Sequence, residues 1–183
     1  IDGFTRGQLQ PKPVSDNFEL RFFDDGQPLY DLIKQRNQQY GLARMVATAD
    51  FPYVVNHGTW YVTAGRLKLP WDKVNLTDDP WALRPETLNE VGSIYTIQGF
   101  DLNYAGVILG PSVGYDATHD QVVVHPERYE DQEAFKQRSD LGHLAPLKQQ
   151  IIFNSINVLM KRGRHGLYIY AVDPALRQRL LAL

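Results

Sequence analysis

Two stretches, residues 91–97 and 104–109, are apolar with almost no alternation. A strand that shows one face to water alternates every second residue, so an unbroken run points to a strand covered on both faces, as in a parallel sheet between helices. The second run ends in Gly110-Pro111, a natural stop. Upstream, residues 18–23 read as extended and Asp24-Asp25-Gly26 as a turn. Pro28 then opens a helix with Leu29, Leu32, Ile33 and Tyr40 at helical spacing, Gly41 closes it, and residues 42–49 form the next strand. Strand, helix, strand predicts a right-handed parallel crossover. Downstream, Leu147, Ile151, Ile152, Ile156, Leu159 and Met160 share one face of a helix over 146–160. Residues 167–172 form a strand, and Asp173-Pro174 supply an N-cap and first-turn proline for a last helix to Leu181. The alternating order places the chain in the α/β class, with a mostly parallel sheet between helices.

Residues 1–16, with Gly3, Gly7, Pro11 and Pro13, read as a lead-in or linker, and the absence of a first methionine suggests a piece of something longer. The domain proper is expected over 17–183, with loop-rich insertions near 50–88 and 112–143. The latter holds a short strand at 122–124 and a charged helix over about 130–138. The 183 residues contain no cysteine, which removes disulfides, zinc fingers and thiol nucleophiles and fits a reducing, cytoplasmic setting. Nineteen Lys+Arg against 21 Asp+Glu give a net charge of −2, so bulk charge advertises no nucleic-acid binder. No apolar run approaches the ~20 residues of a membrane helix, and a soluble chain with no membrane partner is expected.

Two segments carry candidate chemistry. In Ser93-Ile94-Tyr95-Thr96-Ile97-Gln98-Gly99-Phe100-Asp101, a strand runs into a Gln-Gly turn followed by a carboxylate. Open parallel sheets bind ligands at the carboxyl ends of their strands, and a glycine there lets backbone N–H groups approach a phosphate. A plain turn whose aspartate caps its own backbone explains the same residues. In the second segment Lys161, Arg162 and Arg164 bunch at the end of the amphipathic helix. Arginine suits a phosphate undergoing transfer, although cations at a helix C-terminus also complement its dipole. No G-x-x-x-x-G-K-[ST] loop, H-E-x-x-H, G-x-S-x-G or G-x-G-x-x-G occurs, and His57, His119, His125, His143 and His165 lack metal spacing, so no metal site is expected. The acid pairs Asp24-Asp25, Asp78-Asp79 and Glu130-Asp131 have local reasons at turns or a helix start. Phe51, Tyr53, Trp60, Tyr61, Trp71 and Trp81 are expected to form a satellite core rather than a base-stacking track.

At these segments the sequence resembles a known family. Val91-Gly92-Ser93-Ile94-Tyr95-Thr96-Ile97-Gln98-Gly99-Phe100-Asp101 and the strand that follows resemble motif V of superfamily 1 helicases, in the form seen in the Schlafen group 3-like DNA/RNA helicase domain. Val158-Leu159-Met160-Lys161-Arg162-Gly163-Arg164-His165-Gly166-Leu167-Tyr168-Ile169-Tyr170 looks like motif VI, and Ala43-Arg44-Met45-Val46-Ala47 like the strand before the family's aromatic loop.

The resemblance implies the C-terminal of two RecA-like domains, with ATP and Mg2+ bound mainly by an upstream RecA-like domain of the same chain. By carry-over Arg162 would be the arginine finger, with Arg164 in reserve; Gln98, Gly99 and Asp101 would lie at the nucleotide, and Ser93, Tyr95 and Thr96 would touch single-stranded DNA or RNA. The expected function is a motor domain of an ATP-dependent helicase or nucleic-acid-dependent NTPase, inactive on its own. A non-catalytic nucleic-acid or protein-binding scaffold and an unrelated doubly wound enzyme are the rivals. The sequence departs from the family in having Lys161 for the Thr before the finger, Asp101 for Glu, and Phe51-Pro52-Tyr53 for Trp-x-Trp.

Overall fold

The computed structural model describes residues 1–13, 15–52, 58–72, 79–131, 133–136 and 144–183. Its centre is a five-stranded, all-parallel sheet of β1 (Glu19–Phe22), β2 (Ala43–Ala47), β5 (Val91–Gly92), β6 (Leu102–Leu109) and β9 (Gly163–Ala171), in the order β1-β9-β6-β2-β5. Two antiparallel hairpins flank it: β3 (Tyr61–Ala64) with β4 (Leu67–Pro70), and β7 (Val113–Asp116) with β8 (Gln121–Val124). The helices are α1 (Gly26–Tyr40), the short α2 (Glu133–Lys136), α3 (Leu144–Met160) and α4 (Pro174–Leu181). This is an α/β architecture of RecA-like type.

The unbroken apolar runs arise because both faces of the sheet are covered. Met45, Ala47, Tyr104, Ile108, Tyr168 and Tyr170 pack with Leu29, Tyr30 and Ile33 of α1 and with Val62, Ala64, Leu67 and Leu69 of the first hairpin. Val46, Ala105, Val107, Leu109, Leu167, Ile169 and Ala171 face Ile152, Ile156, Leu159 and Met160 of α3 and Leu176 and Leu180 of α4. A Cβ at Gly106 would come within 2.5 Å of Met45 Sδ and 2.7 Å of a Leu29 methyl, so glycine there lets α1 lie close against the sheet. The helices start where their caps put them. The Asp25 carboxylate accepts from Gln27 N–H at 2.9 Å, and that of Asp173 from Leu176 N–H at 2.7 Å.

The structure corrects several expected boundaries. The strand expected over 91–97 stops at Gly92 and residues 94–99 are turns. Ser93 Oγ accepts from Tyr95 N–H at 3.1 Å and Thr96 Oγ1 from Ser93 N–H at 2.7 Å, so short polar side chains divert the backbone from the ladder. The insertion near 50–88 contains the β3–β4 hairpin, whose inward Val62, Ala64, Leu67 and Leu69 alternate about Gly65-Arg66. The second insertion pairs its expected strand with β7, a strand beyond those expected there. β9 starts at Gly163, before the expected residue 167, across from a register irregularity between Leu102 and Tyr104. Of the lead-in, Phe4 joins the core, Val122 N–H bonds Gly7 carbonyl at 2.8 Å, and Lys161 Nζ meets Asp2 at 2.7 Å. Of the charged helix, Glu133–Lys136 is present and residues 137–138 lie outside the described residues. Among the described residues no helix is long and apolar enough to cross a membrane.

Candidate functional site

Parallel strands all begin at one edge of the sheet, so a chain leaving one strand must return across the sheet before starting the next. Residues 94–99 make that return, from the carboxyl end of β5 to the amino end of β6. This places Asp101 immediately before β6, and the last turn of α3 places Arg162 immediately before β9. Both singled-out segments therefore meet at the amino ends of the strands, not at the carboxyl ends where ligands of open parallel sheets are usually sought.

Leu102 faces Gly163 in the ladder, and Leu102 N–H donates to Arg162 carbonyl at 2.8 Å. Arg162 Nη1 lies 3.4 Å from Phe100 carbonyl and 3.5 Å from Asp101 Oδ1, and Nε is enclosed with no acceptor among the described residues. The Arg162 side chain is 23% exposed and that of Asp101 59%. Gly99 has φ +80°, and a Cβ there would meet nothing within 4 Å, so the turn needs glycine for its backbone and stands open to solvent. Gln98 and Arg164 are exposed, and Arg164 makes no hydrogen bond or ion pair among the described residues. Arg162 and Asp101 are thus brought together, with Gly99 and Gln98 two and three residues before Asp101 in the chain and Arg164 two residues after Arg162.

Ser93, Tyr95 and Thr96 lie towards the other end of the turn. Ser93 is buried, and its hydroxyl and that of Thr96 serve the turn itself. The Tyr95 ring is 58% exposed, but its hydroxyl donates to Asp131, and partial burial with that carboxylate raises the phenol above its ordinary pKa.

The carboxyl edge carries acids that the sequence reading did not single out. Asp50 is 5% exposed; its Oδ2 accepts from Thr48 Oγ1 at 2.7 Å and Ser112 N–H at 3.2 Å, while its Oδ1 is enclosed with no partner among the described residues. Burial pushes the Asp50 carboxyl up, and does the same to Asp72, whose backbone has φ +45°. The available signal for Asp50 was its position directly after an unbroken apolar strand, where a polar side chain has little water.

Asp25 caps α1, and Asp131 accepts from Ala134 N–H at 3.2 Å; Asp78 lies outside the described residues. So do Tyr53, His57 and His143. Phe51, Trp71 and Trp81 are buried and Tyr61 is exposed. His119 pairs with Asp116 at 2.7 Å, and His165 lies against the Tyr104 ring. Among the described residues no group of three or more His, Cys, Asp or Glu can hold a metal ion.

Comparison with known proteins adds three findings. The profile of the Schlafen group 3, DNA/RNA helicase domain matches residues 1–173. The uncharacterized protein YPL245W of Saccharomyces cerevisiae is 49% identical over 167 residues, covering 90% of this chain and 37% of that protein. No solved structure matches.

Proposed function

Because the chain belongs to the Schlafen group 3, DNA/RNA helicase domain family, we propose that it serves as the second RecA-like domain of a nucleic-acid-dependent NTPase, with Arg162 reaching across a cleft to ATP held chiefly by another domain. The observation that carries this reading is the meeting of Arg162 and Asp101 at the amino ends of neighbouring strands, two residues from an open left-handed glycine. A planar guanidinium with unused donors is suited to equatorial phosphoryl oxygens as charge builds on them. Gln98 and the Gly99 backbone would lie beside the terminal phosphate, with Asp101 and Arg164 at the rim. Mg2+ accompanying ATP would be held with the nucleotide, chiefly by the partner domain.

The test is Arg162→Ala in the full-length protein. Turnover should fall roughly 10³-fold or more while nucleotide affinity changes little; near-normal hydrolysis rejects the assignment. Addition of single-stranded DNA or RNA should raise the wild-type rate. One observation favours a second reading: the hydroxyls of Ser93, Thr96 and Tyr95 are engaged within the protein. In a scaffold that has kept the fold without the motor, single strands would leave hydrolysis unchanged.

A further inference from the structure

The contact between Asp101 and Arg162 is fixed in its backbone and loose in its side chains. The Leu102 N–H to Arg162 carbonyl bond and the Leu102–Gly163 register hold the two preceding residues at adjacent positions. Their side chains meet only at the long limit of an ion pair, 3.5 Å, with Phe100 carbonyl sharing the same Nη1 at 3.4 Å. A guanidinium offers five N–H donors in a rigid fork. Among the described residues only Nη1 of Arg162 finds acceptors, and Nε has none. A carboxylate and a phosphate oxyanion seek that same fork, and both prefer a short bidentate approach. Arg164, exposed and unpaired among the described residues, is a second cation two residues along the chain.

We propose that Asp101 is a built-in rival of the ligand: its carboxylate engages Arg162 as a phosphate oxygen would, keeps the guanidinium at the amino edge between ligands, and must give way to an incoming polyphosphate. Asp101 is then a positioning residue that sets where Arg162 waits and how strongly an anion must bind to claim it. This rests on reading Arg162 as anion-facing, and it differs from a role in which Asp101 itself grips the nucleotide.

The probe is inorganic tripolyphosphate, titrated calorimetrically into this protein at low ionic strength. Asp101→Asn should bind it about two- to five-fold more tightly than wild type, the range an exposed ion pair commands, and the gain should shrink as salt is added. Asp101→Glu should restore wild-type affinity. Arg162→Ala should weaken binding and abolish the gain in the double variant. The Asp101 side chain is mostly solvent-facing, so Asp101→Asn should melt as wild type does. Unchanged or weaker binding by Asp101→Asn, a gain that survives Arg162→Ala, or no binding by any variant overturns the proposal. Hydrolysis is not needed for the measurement: normal turnover by Arg162→Ala defeats the motor reading, whereas the competition is judged by the titration alone.

Discussion

Arg44 and Arg162 both stand at the amino ends of strands in the same sheet, and they are used in opposite ways. Arg44, the second residue of β2, is 3% exposed. It donates from Nε to Thr87 Oγ1 at 2.8 Å, from Nη1 to Asn37 Oδ1 at 2.8 Å and Ala43 carbonyl at 2.9 Å, and from Nη2 to Arg84 carbonyl at 3.0 Å. Desolvation lowers its pKa, yet arginine stays charged, so these acceptors offset the cost of burying the cation. Arg162 has two long contacts and an Nε without an acceptor. A guanidinium whose fork is filled by neutral acceptors on three surrounding segments is a strut. One that is partly exposed and makes only long contacts through Nη1 keeps guanidinium donors available to an outside anion.

Replacing both by methionine gives the largest expected contrast. Arg44→Met removes four hydrogen bonds from a buried site and should cost about 2–5 kcal/mol in urea denaturation, whereas Arg162→Met should stay within about 1 kcal/mol. Equal losses would break the distinction. Thr87→Val sharpens it from the acceptor side. The Thr87 hydroxyl accepts from Arg44 and bonds the Trp81 and Arg84 carbonyls, so its removal should cost about 1–3 kcal/mol, against a melting curve close to wild type for Asp101→Asn.

The smallest effect is expected at the carboxyl edge, where Asp50 is buried with no ion pair among the described residues. Its carboxyl is raised above the ordinary value, so the folded state holds the proton more tightly than the unfolded chain does. That contribution is complete below the unfolded pKa and is lost as pH rises through the folded value. Asp50→Asn keeps an acceptor for Thr48 and Ser112 and has no proton to lose. Its stability relative to wild type should therefore rise from acid towards neutral pH, as followed by denaturation at several pH values; a flat difference would show that Asp50 does not titrate with folding.

Much of this fold was legible in the residues. The strands β2, β6 and β9 follow from apolar runs buried on both faces, α1 from Pro28 and the helical spacing of Leu29, Leu32 and Ile33, and α4 from Asp173-Pro174 at its start. The end of β5 was not, because Ile94, Tyr95 and Ile97 carry strand-forming side chains while Ser93 and Thr96 close a turn through bonds that no apolar pattern records. The β3–β4 hairpin was hidden because each strand is four residues long, too short for periodicity to rise above its aromatic surroundings. At the site, residue types and order marked Gly99, Asp101 and Arg162 through the family resemblance. Their edge of the sheet was not legible, since ligands of parallel sheets usually sit where strands finish and the return turn carries these residues to where strands begin. The buried acids at the opposite edge were missed because burial of a single aspartate depends on what long-range packing places over it.

β6 runs eight residues from the site side of the sheet to Gly110, whose N–H bonds Thr48 Oγ1. At about 3.3 Å per residue it is a bar roughly 26 Å long, clamped between β2 and β9 and filled on both sides. A bar held that way does not bend at one end while the other stays still. With Leu102 N–H bonded to the Arg162 carbonyl, the backbones of Asp101 and Arg162 shift only when β6 and β9 shift as a pair.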